Sequence, residues 1–420
     1  MGPLLVISSG SQLYREYALQ AIAAHFPIVL LNDRPKTWQA PYLLDFVQVP
    51  LTDAEAVLTV VSELKQRYRF SGVFTYEEAF VVEAALVAES LNLPSNSVQT
   101  ARLCRDKYLM RQAWQTALVP SACSYLVRSL SEAEEVAEKI GYPVVVKPRG
   151  LAASVGVIRA DTARDLPGGY TIANVQPHPA FRAAGDGLLV EEYLDGPEIS
   201  VESAVVHGQI NVIAIVHKQV GLAPCFEELG HIVAPNEPLP EESAIRAVVV
   251  AAHKALGIHM GVTHAELRLT KQGPRMIELG MRSAGDLIPY LVRLATGVDL
   301  NEASARIAVN DMPVLEPLRL TAAAIRFLYP SYDARVLKLA VKAEAFEQPW
   351  LDKVAFESQP GSELYLPPRG FLSRLGFVIV TGSSISECQS RIDKALSFMD
   401  IDLECLPDLQ PSGVKIAERV

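Results

Sequence analysis

Glu266 and Glu278 stand twelve positions apart in the run 261–286, with Arg282 four residues beyond the second acid. The run reads as two short strands with a turn at 271–274, a hairpin that brings both carboxylates to one end. Two carboxylates suit a hard divalent cation such as Mg²⁺, which takes oxygen ligands, and a nearby arginine suits developing negative charge. The trio therefore fits a cation held against the phosphates of ATP. It fits equally well two surface acids and a salt-bridging arginine.

Two further stretches bear on that choice. In 144–156 a β-branched strand presents Lys147, and the small-residue loop 150–156 carries Ser154. Small residues let backbone N–H groups approach phosphate oxygens, Ser154 adds a hydroxyl donor, and a lysine supplies a point charge for phosphate. The spacing is not that of a Walker A loop, and a surface hairpin ending in a lysine has the same pattern. In 188–206 a strand ends in Glu191, Glu192, Tyr193 and Leu194, a turn follows at 195–197, and a second strand begins at Glu198. A strand end can offer adenine a backbone donor and acceptor, Tyr193 and Leu194 can flank the ring, and Glu198 can accept from ribose hydroxyls. A plain hairpin with exposed acids is the alternative. Lys107, in a helical stretch, reads by itself as a solvated lysine.

The elements that must position these residues divide the chain. Residues 1–100 alternate strands (LLVIS, IVLLN, DFVQVP, GVFTY) with helices, the pattern of a doubly wound parallel sheet. Binding at such a sheet lies at strand C-termini, near Ser8–Ser11 and Thr75–Glu78, although the first of these is also an ordinary strand-to-helix turn. A loop and one helix follow over 93–115. Strands and one clear helix fill about 120–195, further strands and a helix run on to 280, and 311–420 reads as a separate α+β lobe. Pro and Gly at 167–169 and 367–370 mark turns. The fold expected is a multidomain chain of α/β and α+β parts.

The 420 residues are half hydrophobic, enough for two or three cores, with formal net charge −10 and no dense basic run, so nucleic acid is not expected as a partner. Five scattered cysteines, without metal-ligand spacing, read as reduced thiols of a cytoplasmic protein. No apolar run approaches the length of a membrane span, and the first residues lack the basic flank of a secretory signal.

In this order and spacing, Asp106–Lys107, 144–156, 190–198 and Glu266, Glu278, Arg282 resemble the ATP-grasp superfamily over roughly residues 1–310, which implies a small lid subdomain over 101–195 and a larger antiparallel subdomain carrying the acids over 196–310. The resemblance implies that Lys107 and Lys147 bind ATP phosphates and that the Ser154 loop closes over them. Glu191, Glu192, Tyr193 and Leu194 would hold adenine and Glu198 the ribose. Glu266 and Glu278 would ligate Mg²⁺ (Mn²⁺ being an alternative), and Arg282 would steady an acyl phosphate. Many members carry an Asn where this chain has Gly280, which leaves the coordination there to be completed otherwise. The L-amino acid ligases, which make dipeptides, also dispense with that Asn, and the segments 227–235, 263–266 and 282–289 are similar to theirs. By that resemblance Glu228 and His231 line an amino-acid pocket, with Glu228 near the substrate ammonium and Gly285 beside the acyl group. His231 also fits a loop histidine satisfied by backbone. A bulky tryptophan restricts the first substrate in one such group; Asp286 in its place implies a wider or more polar pocket, open to a basic side chain. The activity implied is ATP-dependent joining of two amino acids through an acyl phosphate, releasing ADP and phosphate. The alternative is ligation of another acid–amine pair, or carboxylation. Amino acids are the partners expected, and a homodimer is the commonest assembly.

Overall fold

The structure is a computed structural model that describes residues 2–8, 10–174, 185–407 and 415–416. The strands Leu4–Ile7, Ile28–Asn32, Asp45–Gln48 and Gly72–Phe74 form a parallel sheet in which Leu4–Ile7 lies between Ile28–Asn32 and Gly72–Phe74. Its central strands are buried on both faces, as a parallel sheet requires. The helix Gln12–Ala23 covers one face through Ala18, Leu19 and Ile22; Ala54–Leu64 and Val81–Ser90 cover the other through Val57, Val61 and Val87. Asp53 accepts from the backbone N–H groups of Glu55 and Ala56 and so caps the helix that follows.

The single helix expected near 100–115 is two, Val98–Arg105 and Lys107–Thr116, broken at Asp106. Asp106 caps the second helix at Tyr108 and Leu109 and pairs with Arg149. Lys107 thus sits in a first helical turn and is buried, not solvated.

A four-stranded antiparallel sheet of Ser124–Val127, Leu188–Glu192, Val144–Pro148 and Ile158–Ala160 forms the small subdomain. The turn expected at 167–169 lies instead inside the helix Leu166–Ala173; Pro167 is tolerated because first-turn N–H groups have no intrahelical partner. The expected lid segment includes residues 175–184, and the turn at 8–11 includes Ser9; these lie outside the described residues.

The largest sheet has eight antiparallel strands in the order Gly273–Gly280, Gly261–Thr270, Glu198–Val206, Gln209–Gly221, Glu227–Val233, Ala322–Leu328, Gly376–Gly382, Leu351–Phe356. The region after residue 311 is therefore not separate: Ala322–Leu328 pairs with Glu227–Val233, from Gly230↔Arg326 to Val233↔Ala323. The strand Glu227–Val233 escapes pattern reading because Glu227, Glu228 and His231 interrupt its apolar run, although all three are buried. Among the described residues no helix is long and apolar enough to cross a membrane.

Candidate active site

Side chains alternate across a strand, and here alternation sorts chemistry from core. Ile199, Val201 and Val205 of one strand, with Ala265 and Leu267 of its neighbour, pack with Ile245, Val249, Ala252 and Leu256 of the helix Glu242–Leu256. The other face receives Glu198, Ser200 and Glu202, which stand opposite Arg268, Glu266 and His264. Glu266 in turn faces Glu278, and His264 faces Gly280.

Like charges directly opposite in a sheet repel, so Glu266 and Glu278 need cations. Lys218, from the strand Gln209–Gly221, lies 2.5 Å from Glu266, 2.8 Å from Glu228 and 2.9 Å from Glu198. Burial opposes its charge, but these three acids outweigh burial and raise its pKa well above the ordinary lysine value. Burial would likewise raise Glu266, yet Lys218 and His264 hold it well below the usual carboxylate range. Burial pushes Glu228 upward, against Lys218. His264 bridges Glu202 at 2.8 Å and Glu266 at 3.1 Å, and although burial disfavours its charge, Glu202 and Glu266 raise it to about 9. Glu278 pairs with Lys107 at 2.9 Å. An all-oxygen pair of facing carboxylates fits the chemistry of Mg²⁺, and Glu266 and Glu278 could hold such an ion. A Cβ at position 280 would lie 2.9 Å from Glu78 Oε2. The Glu78 carboxylate thus occupies the space a side chain at Gly280 would enter.

One cavity, about 1010 Å³, is lined by Lys107, Lys147, Ser154, residues 191–194, Glu198, Glu266, Glu278 and Arg282. All the expected nucleotide and metal residues meet there. Ala153 and Ser154 have φ of 55° and 56°, left-handed conformations rare outside glycine and found where backbone is held for function. Lys147 pairs with Glu191 at 2.6 Å, and Arg111 reaches the same acid at 2.9 Å. Burial lowers Lys147 to about 8 despite Glu191; burial would raise Glu191, but Arg111 and Lys147 bring it to about 2. The Glu192 carboxylate bonds Arg275 and the Cys123 N–H. The side chains of these two acids are thus engaged by protein partners, while both residues line the cavity beside Tyr193 and Leu194. Arg159 stacks on Tyr193, 4.2 Å from the ring centroid.

A second cavity, about 1320 Å³, adjoins the first and shares Glu228, His264, Glu266 and Arg282 with it. Glu228, His231, Gly285 and Asp286 line it, as do Arg15, Glu77 and Glu78 from the N-terminal layer. Arg282 is held by Glu78 at 2.8 Å, and Arg105 grips the same acid at 3.3 Å. Burial would raise Glu78, yet Arg282, Arg105 and Lys107 lower it. His231 is a strand residue, not a loop one, with Nε2 3.5 Å from Asp286 and 3.8 Å from Glu228. Asp286 does not present a free charge to a basic side chain: Arg374 takes both its oxygens at 2.8 Å.

Sequence reading missed Lys218, Glu202, Arg111 and Arg374 and did not single out His264 beside Glu266. Glu202 and His264 had a signal, a polar residue at every second position of apolar strands, whereas Lys218 lies in the polar run 217–219 that breaks such alternation. Arg111 lies four residues after Lys107, one helical turn on. Arg374 has no local signal.

Three family models match: ATP-grasp N-terminal domain over residues 21–95, ATP-grasp domain over 140–290, and L-amino acid ligase C-terminal domain 2 over 326–404. The chain carries ATP-grasp domains and the C-terminal domain type of L-amino acid ligases. Among solved structures, the L-amino acid ligase from Bacillus licheniformis superposes with TM-score 0.80 at 25% identity, over 95% of this chain and 98% of that one. The uncharacterized protein y4rH of Sinorhizobium fredii is 28% identical over 418 residues, 97% of this chain and 84% of that protein. Alanine–anticapsin ligase of Bacillus subtilis is 30% identical over 272 residues, which is 59% of this chain but only 55% of that ligase.

Proposed function

We propose that the chain is an ATP-dependent carboxylate–amine ligase that joins two L-amino acids into a dipeptide. The observation that carries this reading is the meeting of two cavities at Glu228, Glu266 and Arg282, one lined by Lys107, Lys147 and Ser154 and the other by Glu228, His231 and Asp286.

A carboxylate is a poor acyl donor because its charge repels nucleophiles. The carboxylate of the first amino acid attacks the γ-phosphorus of ATP, giving an acyl phosphate and ADP. Lys107, Lys147 and the Ser154 loop hold the phosphates, and Arg282, fixed by Glu78, faces the charge that moves with the phosphoryl group. Mg²⁺, when held by Glu266 and Glu278, neutralises phosphate charge. Glu228 receives the ammonium of the first substrate. The amine of the second then attacks the acyl carbon, and phosphate leaves. That amine must be neutral, so turnover rises into mildly alkaline pH.

The test is phosphate release from Mg·ATP with single amino acids and with pairs, followed by mass spectrometry. Pair-dependent release, with a product equal in mass to both amino acids minus water, is expected. ATP binding without stimulation by any amino acid would send the search to other acids and amines.

A further inference from the structure

The C-terminal lobe reaches the substrate cavity with one charged side chain, Arg374. It is buried to 2% exposure, where burial demands a partner. Its guanidinium lies 3.6 Å from the centroid of the Phe327 ring, and its Nε donates to the Tyr329 hydroxyl at 3.0 Å. The two terminal nitrogens donate one each to the oxygens of Asp286. Stacking and the Tyr329 bond fix the fork; the fork fixes Asp286. The acid itself sits on left-handed backbone, φ 52°, next to Leu287 at φ 60°, a conformation that needs such restraint. Asp286 keeps about a quarter of its side chain exposed, and it faces the cavity.

We propose that Arg374 and Asp286 together determine side-chain selection in the substrate cavity: their mutual neutralisation makes this wall uncharged, so the wild-type protein prefers amino acids with neutral side chains. The inference rests on the reading of this cavity as an amino-acid site. A bidentate pair leaves no net charge to attract a lysine or glutamate side chain, while such a side chain loses its own hydration on entry. A second wall of the cavity repeats the pattern, since Arg15 donates to both oxygens of Glu77 at 2.8 and 3.2 Å. Charge at the Asp286 wall is thus set by a residue 88 positions away, in the C-terminal lobe.

The experiment measures amino-acid binding by calorimetry, and kcat/KM where turnover is seen, with leucine, glutamine, lysine, arginine, aspartate and glutamate. Wild type, Arg374→Gln, Asp286→Asn and the double variant are compared. Wild type should favour leucine and glutamine over all four charged side chains. Arg374→Gln frees an anion and should shift selection toward lysine and arginine by about tenfold, the size of one charge-assisted hydrogen bond. Asp286→Asn frees a cation and should shift selection toward aspartate and glutamate by a similar factor, and the double variant should return to neutral preference. Should Arg374→Gln fail to fold, Asp286→Asn and the wild-type ranking still decide. A wild type that prefers a charged side chain, or single variants whose ranking matches wild type, would overturn the proposal. Binding that switches with charge while no pair supports turnover would keep this inference and overturn the ligase reading; absence of amino-acid binding overturns both.

Discussion

The two cavities share a border but not a construction. The nucleotide cavity takes most of its charges from strands paired side by side, with Lys107 and Arg111 of one helix reaching Glu278 and Glu191 across 171 and 80 positions. The substrate cavity is assembled from the N-terminal layer, the strand Glu227–Val233, the loop after Gly280 and the C-terminal lobe. Its ion pairs close across long stretches of chain: Arg15 to Glu77, Glu78 to Arg105 and Arg282, Asp286 to Arg374. Phosphate and divalent-cation chemistry demands particular residue types at particular strand positions, whereas side-chain selection can be met by any segment that reaches the wall. The first cavity should therefore respond to substitution chiefly in turnover, the second chiefly in stability and specificity.

The largest effect should break the border itself. Glu78→Gln leaves Arg105 and Arg282 without their carboxylate, with Arg105 at 3% side-chain exposure. The expected loss is about 3–5 kcal/mol of stability, read from urea unfolding, together with loss of turnover because Arg282 is no longer held. In contrast, Glu278→Gln touches a side chain that is 21% exposed; the fold should persist while kcat falls about 10²–10³-fold, the scale of removing one group that meets transition-state charge.

A smaller effect separates the two cavities by pH. Glu191 has its folded pKa depressed to about 2 from 4.5, so its contribution is complete above about pH 4.5 and is lost as pH falls through about 2. The stability difference between wild type and Glu191→Gln should be constant from neutral pH down to about 4.5 and shrink below it. A difference that grows on acidification would contradict the assignment of Arg111 and Lys147 as its partners. The smallest effect serves as a reference outside both cavities. Asp53→Ala removes the helix cap at Glu55 and Ala56 and should cost about 1 kcal/mol by thermal unfolding, with kcat and KM unchanged.

How much of this was legible follows the same division. The parallel N-terminal layer could be read because buried strands make short apolar runs between amphipathic helices. Glu266, Glu278, Lys147 and Glu198 could be read because their neighbours fix which face they share. Glu227–Val233 could not, since buried acids look like surface acids until Lys218 and Tyr329 are seen to partner them. The break at Asp106 was legible in hindsight: an Asp immediately before a basic, apolar-periodic stretch is a cap signal, but it was hidden inside a continuous helical pattern. Arg374 was beyond reach, because the ring it stacks on and the acid it pairs with lie 47 and 88 positions upstream.

The hydrogen-bonded seam between Glu227–Val233 and Ala322–Leu328 bears on how such a chain can be recombined. A crossover placed at residue 311 appears natural by domain counting, yet it would strip the partner from the strand that carries Glu228 and His231. The bare edge would then offer a row of unpaired backbone groups to other chains, the condition for aggregation. Exchange of the last hundred residues between relatives is therefore tolerated only when the incoming segment re-forms that ladder in register. Whatever new preference it brings arrives together with a strand that must fit, so selectivity and foldability are inherited as one unit.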